Sequence, residues 1–217
     1  IHAFSPPEIV HFSRLNGLAV RDVLQKLKTA GLNSIPGGGA EILVDRCRNL
    51  LSPNKCTAQE WLDVMREAHK LGMRTTATMM FGHIETIEER IEHMEKIRRL
   101  QDETGGFTAF IAWTFQPKNT QLDTALLGSH DYLRTLAIAR LYLDNFPNIQ
   151  ASWVTQGAKI AQLSLKFGAN DMGSTMIEEN VVRAAGVSYQ MDKKEIESLI
   201  NDLEFEARQR DLYYQIY

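Results

Sequence analysis

Cysteine is scarce in this chain. Its 217 residues include two, Cys47 and Cys56. Two are too few for a disulfide framework and suit a reducing compartment, the cytoplasm. Positive charge is not in excess either: 24 Lys and Arg face 27 Asp and Glu, a formal net charge of -3. No basic surface for nucleic acid is therefore expected. No apolar run approaches the ~20 residues of a membrane span, so no membrane partner is expected. The six histidines form neither an H-x-x-x-H nor an H-E-x-x-H spacing. With no partner pair for the cysteines, a zinc or cluster site inside this chain is not expected, and no metal ligand is assigned. A Walker loop and a G-x-G-x-x-G turn are also missing. There is no targeting pattern, and the first residue is Ile1 in a strand-like run. The expectation is a piece of a longer protein that lacks N-terminal structure.

What is present is regular. Hydrophobic residues make up 44% and charged residues 24%, as in a soluble globular protein. Strand-like segments begin near positions 1, 32, 74, 107, 149 and 169, with the fifth reaching Val154. Helical patterns fill the intervals at 18–30, 40–51, from Thr57 to Gly72, from Thr86 to Asp102, at 131–145 and at 159–167. Thr57 with Glu60 and Thr86 with Glu89 form capping boxes. A short helix is expected over 178–185, and a C-terminal helix and tail from about Asp192. Alternation of this kind implies a parallel sheet with helices outside. A complete eight-fold barrel needs about 250 residues. The expected fold is thus α/β: a (β/α)8 barrel represented by strands 3–8, forming one domain over 1–217. An open doubly wound sheet is the alternative.

In such barrels the chemistry collects at the C-terminal ends of the strands. His2, Ser5 and Glu8 follow the first strand. Gly37, Gly38, Gly39 and Glu41 follow the second, and Thr78 and His83 lie near the end of the third. Trp113, Gln116 and Asn119 follow the fourth, Ser152 and Trp153 the fifth, Asn170 and Asp171 the sixth. The triple glycine lets backbone approach a ligand and leads into the expected helix from Ala40, whose amides would favour a carboxylate or phosphate. It reads equally as a strained turn with no ligand. Glu41 and Arg48 lie about two helical turns apart. They suit either a grip on a zwitterion or a solvated ion pair, and spacing alone favours the pair. Cys47 reads as helix packing, and His69 and His93, in mid-helix, as surface residues. Trp113 and Trp153 suit either stacking on a ligand or plugging the barrel.

Several stretches carry a resemblance. They are Ser34-Ile35-Pro36-Gly37-Gly38-Gly39-Ala40-Glu41, Thr75-Thr76-Ala77-Thr78-Met79-Met80-Phe81-Gly82-His83, Trp113-Thr114-Phe115-Gln116-Pro117 and Phe167-Gly168-Ala169-Asn170-Asp171-Met172. Together, and in this order, they resemble the cyclic dehypoxanthine futalosine synthases, radical S-adenosylmethionine enzymes of the futalosine route to menaquinone. The resemblance implies a barrel whose first strand, upstream of Ile1, precedes a C-x-x-x-C-x-x-C loop holding a [4Fe-4S] cluster. The chain alone would then be inactive. The whole enzyme would take an electron from an external one-electron donor and form a 5′-deoxyadenosyl radical from S-adenosylmethionine. That radical would abstract a hydrogen from the ribose of dehypoxanthine futalosine. The substrate radical would attack its own benzoate ring, and loss of an electron and a proton would give the spirocyclic product. The resemblance places Gly37, Gly38, Gly39, Glu41 and Arg48 near the cofactor. Ser5, Thr78, Trp113, Gln116, Asn119, Ser152, Trp153 and Asn170 would lie around the substrate, and Asp171, His83 or His2 would accept the late proton. The alternatives are an aminofutalosine synthase, which tends to carry His-Pro in place of Gln116-Pro117, and a non-catalytic scaffold.

Overall fold

The computed structural model describes residues 1–176 and 180–217. In chain order the elements begin with helices α1 (Pro6–Asn16) and α2 (Val20–Thr29), strand β1 (Ser34–Ile35), and helices α3 (Asp45–Leu51) and α4 (Ala58–Lys70). Strand β2 (Arg74–Phe81), helix α5 (Ile87–Thr104), strand β3 (Phe107–Thr114), helix α6 (Ser129–Tyr142) and strand β4 (Ile149–Gln150) follow. Short helices α7 (Trp153–Gln156), α8 (Ala158–Ser164) and α9 (Val181–Ala184) lead to α10 (Lys193–Asn201). The expected start of the 178–185 helix lies outside the described residues.

The sheet order is β1-β2-β3-β4, and β1 pairs with β2 in parallel, Ser34 opposite Arg74. Single parallel bridges, His2 to Ser34 and Gln150 to Asp171, add a segment at each side. These six segments fall where six strands were expected. A doubly wound sheet reverses its strand order, and no reversal occurs among the described strands. The fold is therefore α/β, strands alternating with helices, and the strand order is the one expected of a barrel rather than of a doubly wound sheet.

The chain divides into two compact units. The first comprises Ile1–Met79, Ile84–Phe110 and Asn145–Pro147, and the second Met80–His83, Ile111–Asp144 and Asn148–Tyr217. In the first, Phe107 stacks on Trp61 and Phe146, and Ile9, Leu24, Ile35 and Ile97 are sealed from solvent. In the second, Phe81 stacks on Tyr132 beside buried Leu136, Ala139 and Trp153. Such apolar burial is the main favourable term in folding.

Four local expectations are corrected. Pro6-Pro7, expected from the sequence only to end the first strand-like run, open helix α1 as well. Proline is suited to a first helical turn, where its missing N–H has no partner to lose. Glu8 accepts from the Ser5 N–H and hydroxyl, each at 2.7 Å, and Gly17 at φ 60° closes the helix. The helix expected from Ala40 starts only at Asp45, because Gly39 (φ 69°) and Glu41 (φ 46°) are left-handed. Strand five is two residues long: the Ser152 N–H donates to the Tyr132 hydroxyl at 2.8 Å, and α7 begins at Trp153.

The fourth correction concerns His69 and His93, which are buried. His69 sits between the Thr104 and Thr75 hydroxyls at 2.6 and 2.7 Å, edge-on to Phe107. Burial, helped by Arg74 and Arg66, lowers its pKa to about 4. Burial likewise lowers His93 to about 3, assisted by Lys96 and Arg48.

Candidate functional site

In the first unit the site is the loop from Pro36 to Val44. Gly37 lies against β2. Its N–H donates to Thr76 Oγ1 at 2.9 Å and its carbonyl accepts from Thr78 Oγ1 at 2.6 Å. A Cβ on Gly37 would stand 2.6 Å from the Thr76 carbonyl oxygen, and one on Gly39 2.5 Å from the Pro7 ring. At these two positions the absent side chains make room for protein rather than for a ligand. Gly38 meets only the Ser5 Cβ, at 3.5 Å.

Glu41 and Arg48 do not share a helical face, because Glu41 precedes α3. Glu41 pairs with Lys55 at 2.5 Å. Arg48 is 2% exposed and donates to backbone: Nε to the Cys56 carbonyl at 2.9 Å, Nη1 to those of Gly39 and Ala40 at 3.1 and 2.5 Å. Trp61 Nε1 takes the Gly38 carbonyl at 3.2 Å. On α5, His93 Nδ1 accepts the Leu43 N–H at 3.0 Å while Lys96 Nζ donates to the Leu43 carbonyl at 2.7 Å. Thr76, Trp61, Lys55, His93 and Lys96 were missed as shapers of this loop; nothing in their spacing marks them. His2 shares a hydrogen bond with Ser34, and burial and the nearby N-terminus lower its pKa.

In the second unit the polar residues gather where β3 and β4 end. Gln116 is 7% exposed, and its Nε2 donates to the Thr114 carbonyl and hydroxyl at 3.1 and 3.0 Å. Gln156 Nε2 reaches the same hydroxyl at 2.7 Å. Ser152 and Thr155 share a hydrogen bond of 2.9 Å. His83 Nε2 donates to the Met80 carbonyl at 3.0 Å, and the ring meets Phe115 edge-on, the residue before Gln116. Trp153 is buried, whereas Trp113 is half-buried.

Other expected residues lie elsewhere in this unit. Asn170 turns to the N-terminal end of β4, accepting from the Ile149 N–H at 2.8 Å and from Arg140 at 2.9 Å. Asn119, left-handed at φ 63°, donates to the Ala184 carbonyl at 3.0 Å. Asp171 anchors the tail. Its Oδ2 pairs with Arg210 at 2.7 Å, its Oδ1 accepts from the Gly173 N–H, and Arg210 lies 4.0 Å over the Tyr214 ring. A cavity of about 580 Å³ opens beside this anchor, lined by Met172, Lys193, Ile196, Phe205 and Tyr214 among others.

An iron–sulfur cluster does not fit these residues. Cys47 and Cys56 are both buried. Burial, with Glu89 beside it, pushes the Cys47 thiol up to about 12, and burial also raises Cys56. No group of three metal-capable side chains occurs among the described residues. No helix among them is long and apolar enough to cross a membrane.

Comparison with known proteins gives the class first. Residues 5–97 match the radical SAM superfamily. The crystal structure of methylornithine synthase aligns with a TM-score of 0.61 at 15% identity over 87% of this chain and 56% of its own, a likeness of fold alone. Residues 104–217 match the CofH/MqnC C-terminal region, and the chain belongs to the CofH/MqnC family of the radical SAM superfamily. It is 47% identical to cyclic dehypoxanthine futalosine synthase of Halalkalibacterium halodurans, over 100% of this chain and 59% of that protein. It is 50% identical to aminodeoxyfutalosine synthase of Thermus thermophilus, over 86% and 51%. The 5-amino-6-(D-ribitylamino)uracil--L-tyrosine 4-hydroxyphenyl transferase of Methanococcoides burtonii is 44% identical over 99% and 63%. The chain thus spans between 51% and 63% of these relatives.

Proposed function

We propose that the full-length protein is a cytoplasmic radical S-adenosylmethionine enzyme that converts dehypoxanthine futalosine to its cyclic form in menaquinone biosynthesis. The observation that carries this reading is Gln116. Its amide nitrogen is committed to the Thr114 carbonyl, an acceptor only, so its own carbonyl oxygen is turned away as an acceptor. A fixed neutral acceptor suits a ribose hydroxyl. The resemblance that associates His-Pro with the sister synthase supports the cyclase at this position. Gln156, held by the same Thr114 hydroxyl, completes the polar end of the substrate site.

When bound, S-adenosylmethionine and a cluster ligated outside this chain supply the hydrogen-abstracting radical, with the electron from an external donor. The chain's own residues hold the substrate and take a proton. His83 serves as the late proton acceptor. Its Nε2 is a donor to Met80, which fixes the tautomer, and its ring stands next to Phe115. Asp171, already engaged by Arg210, instead fixes the tail.

The test uses the full-length protein, reconstituted anaerobically with iron and sulfide and given S-adenosylmethionine, a one-electron donor and dehypoxanthine futalosine. Cyclised product is expected. Formation of 5′-deoxyadenosine without it would assign a sister reaction, and formation of neither would support the scaffold.

A further inference from the structure

The connection from β3 to α6, Phe115 to Gly128, holds no helix or strand among the described residues. A connection of this length without regular structure is uncommon in a compact fold and often serves a site. Its two ends are pinned on neighbouring residues of one turn. At the start, the Phe115 N–H donates to the Phe81 carbonyl at 2.8 Å. At the end, Leu127 lies on Gly82: a Cβ at Gly82 would stand 3.0 Å from the Leu127 Cβ and 3.1 Å from its Cδ2. A surface loop whose ends meet in this way is an Ω-loop. All of these residues belong to the second unit.

Between the pins, the first half of the loop is tied down and the second half is not. Asn119 donates to the Ala184 carbonyl at 3.0 Å, and the Lys118 stem crosses Gly186. Thr120 folds back on the Pro117 carbonyl through its N–H at 3.1 Å and its hydroxyl at 2.7 Å. From Gln121 to Leu126 the hydrogen bonding among the described residues is local, the Leu122 N–H donating to the Thr120 hydroxyl at 3.3 Å. Leu126 is exposed. Leu127 therefore carries the second half of the loop onto the end of β2.

The turn that Leu127 covers also carries His83. Gly82 is left-handed at φ 88°, and a glycine has the widest choice of other conformations once its cover is lifted. The His83 ring is oriented from both ends of the loop's seat: Nε2 donates to the Met80 carbonyl at 3.0 Å, and the ring meets Phe115 edge-on. The loop thus leaves at Gln116 and returns beside His83.

We propose that Leu127 is a positioning residue for His83, so that seating of the 116–127 loop and placement of the ring are one event. Leu127 touches no reacting atom; it acts through Gly82. With Nε2 committed as a donor to a carbonyl, Nδ1 is the nitrogen that takes a proton. The seated leucine keeps the ring in that tautomer. This deepens the reading under Proposed function and rests on it, since His83 is the late proton acceptor there.

The experiment uses the full-length protein, reconstituted as above, as wild type, Leu127→Ala, Leu127→Met and Leu126→Ala. Two products are counted. 5′-Deoxyadenosine reports hydrogen abstraction, and cyclised product requires the later loss of a proton. Leu127→Ala should lower the cyclised product formed per 5′-deoxyadenosine about tenfold, part of what a well-placed base contributes. Leu127→Met, of similar volume, should restore most of it, and Leu126→Ala should match wild type. A leucine that only supports the fold would lower both products together. An unchanged ratio in Leu127→Ala overturns the proposal.

A second measurement needs no turnover. Nitrogen NMR of isotope-labelled histidine, with His83 assigned by its loss in His83→Gln, should show the Nε2–H tautomer in wild type and a mixture of tautomers in Leu127→Ala. The same tautomer in both overturns the proposal. Failure of the cyclase reading is recognised separately, as absent cyclised product in wild type, and the tautomer comparison then decides the role of Leu127 by itself.

Discussion

Replacing His69 with Gln should flatten the dependence of stability on pH. The ring is 9% exposed and held neutral between two threonine hydroxyls, with its pKa lowered from 6.5 to about 4. In the unfolded chain it titrates near its ordinary value. Between these limits the unfolded state binds a proton that the folded state refuses. The contribution of His69 is therefore complete above pH 6.5 and is lost as the pH falls toward 4. The slope is about 1.4 kcal/mol per pH unit and the total about 3 kcal/mol. His93, lowered to about 3, adds a slope of the same sign over the same window. Two such groups give about 2.7 kcal/mol per pH unit, a large fraction of the stability of an ordinary domain. The assay is urea unfolding of wild type and His69→Gln at intervals from pH 4.5 to 7.5. Gln keeps a donor and an acceptor for Thr75 and Thr104. Because other titrations cancel in the comparison, the variant's slope should be smaller than the wild type's by about 1.4 kcal/mol per pH unit. Equal slopes would show that His69 is not buried neutral, and would refute the placement of α4 against Thr75 and Thr104.

Three further outcomes follow from the geometry. Gly37→Ala should destabilise by about 1–3 kcal/mol, since its methyl meets the backbone of β2, while Gly38→Ala should stay within about 0.5 kcal/mol; thermal melts separate the two. Asp171→Asn should loosen the C-terminal tail, with a cost of about 1.5–3 kcal/mol for a weakened, part-buried charged pair, seen as faster proteolysis after Arg208 or Arg210. In the folded protein Cys47 and Cys56 should resist iodoacetamide at neutral pH and react only on unfolding, as followed by mass spectrometry.

The alternation of strand and helix was readable because it depends on local pattern, and all six strand positions correspond to sheet contacts. The capping boxes at Thr57 and Thr86 were readable for the same reason, and both form. The buried histidines were also within reach. His93 shares a face with Ile97 and Leu100, and His69 with Met65 and Leu62, at the spacing of one helix face. Proline at the start of α1 misled because the same residue ends strands and opens helices. The loop after β1 was not legible. Its course is set by Arg48, Trp61, Thr78 and Lys96, and no sequence spacing encodes a bond between Lys96 and the Leu43 carbonyl 53 positions away. Gln116 was readable from its place after a strand. Its orientation was not, because that depends on Thr114, and neither was its link through Thr114 to Gln156.

The four side chains that clasp the 37–43 loop come from β2, α3, α4 and α5. The loop's shape is therefore stored outside the loop. Transplanting the glycine-rich segment alone into another scaffold would carry the letters without the conformation, and a working graft would have to bring its distant clasps along.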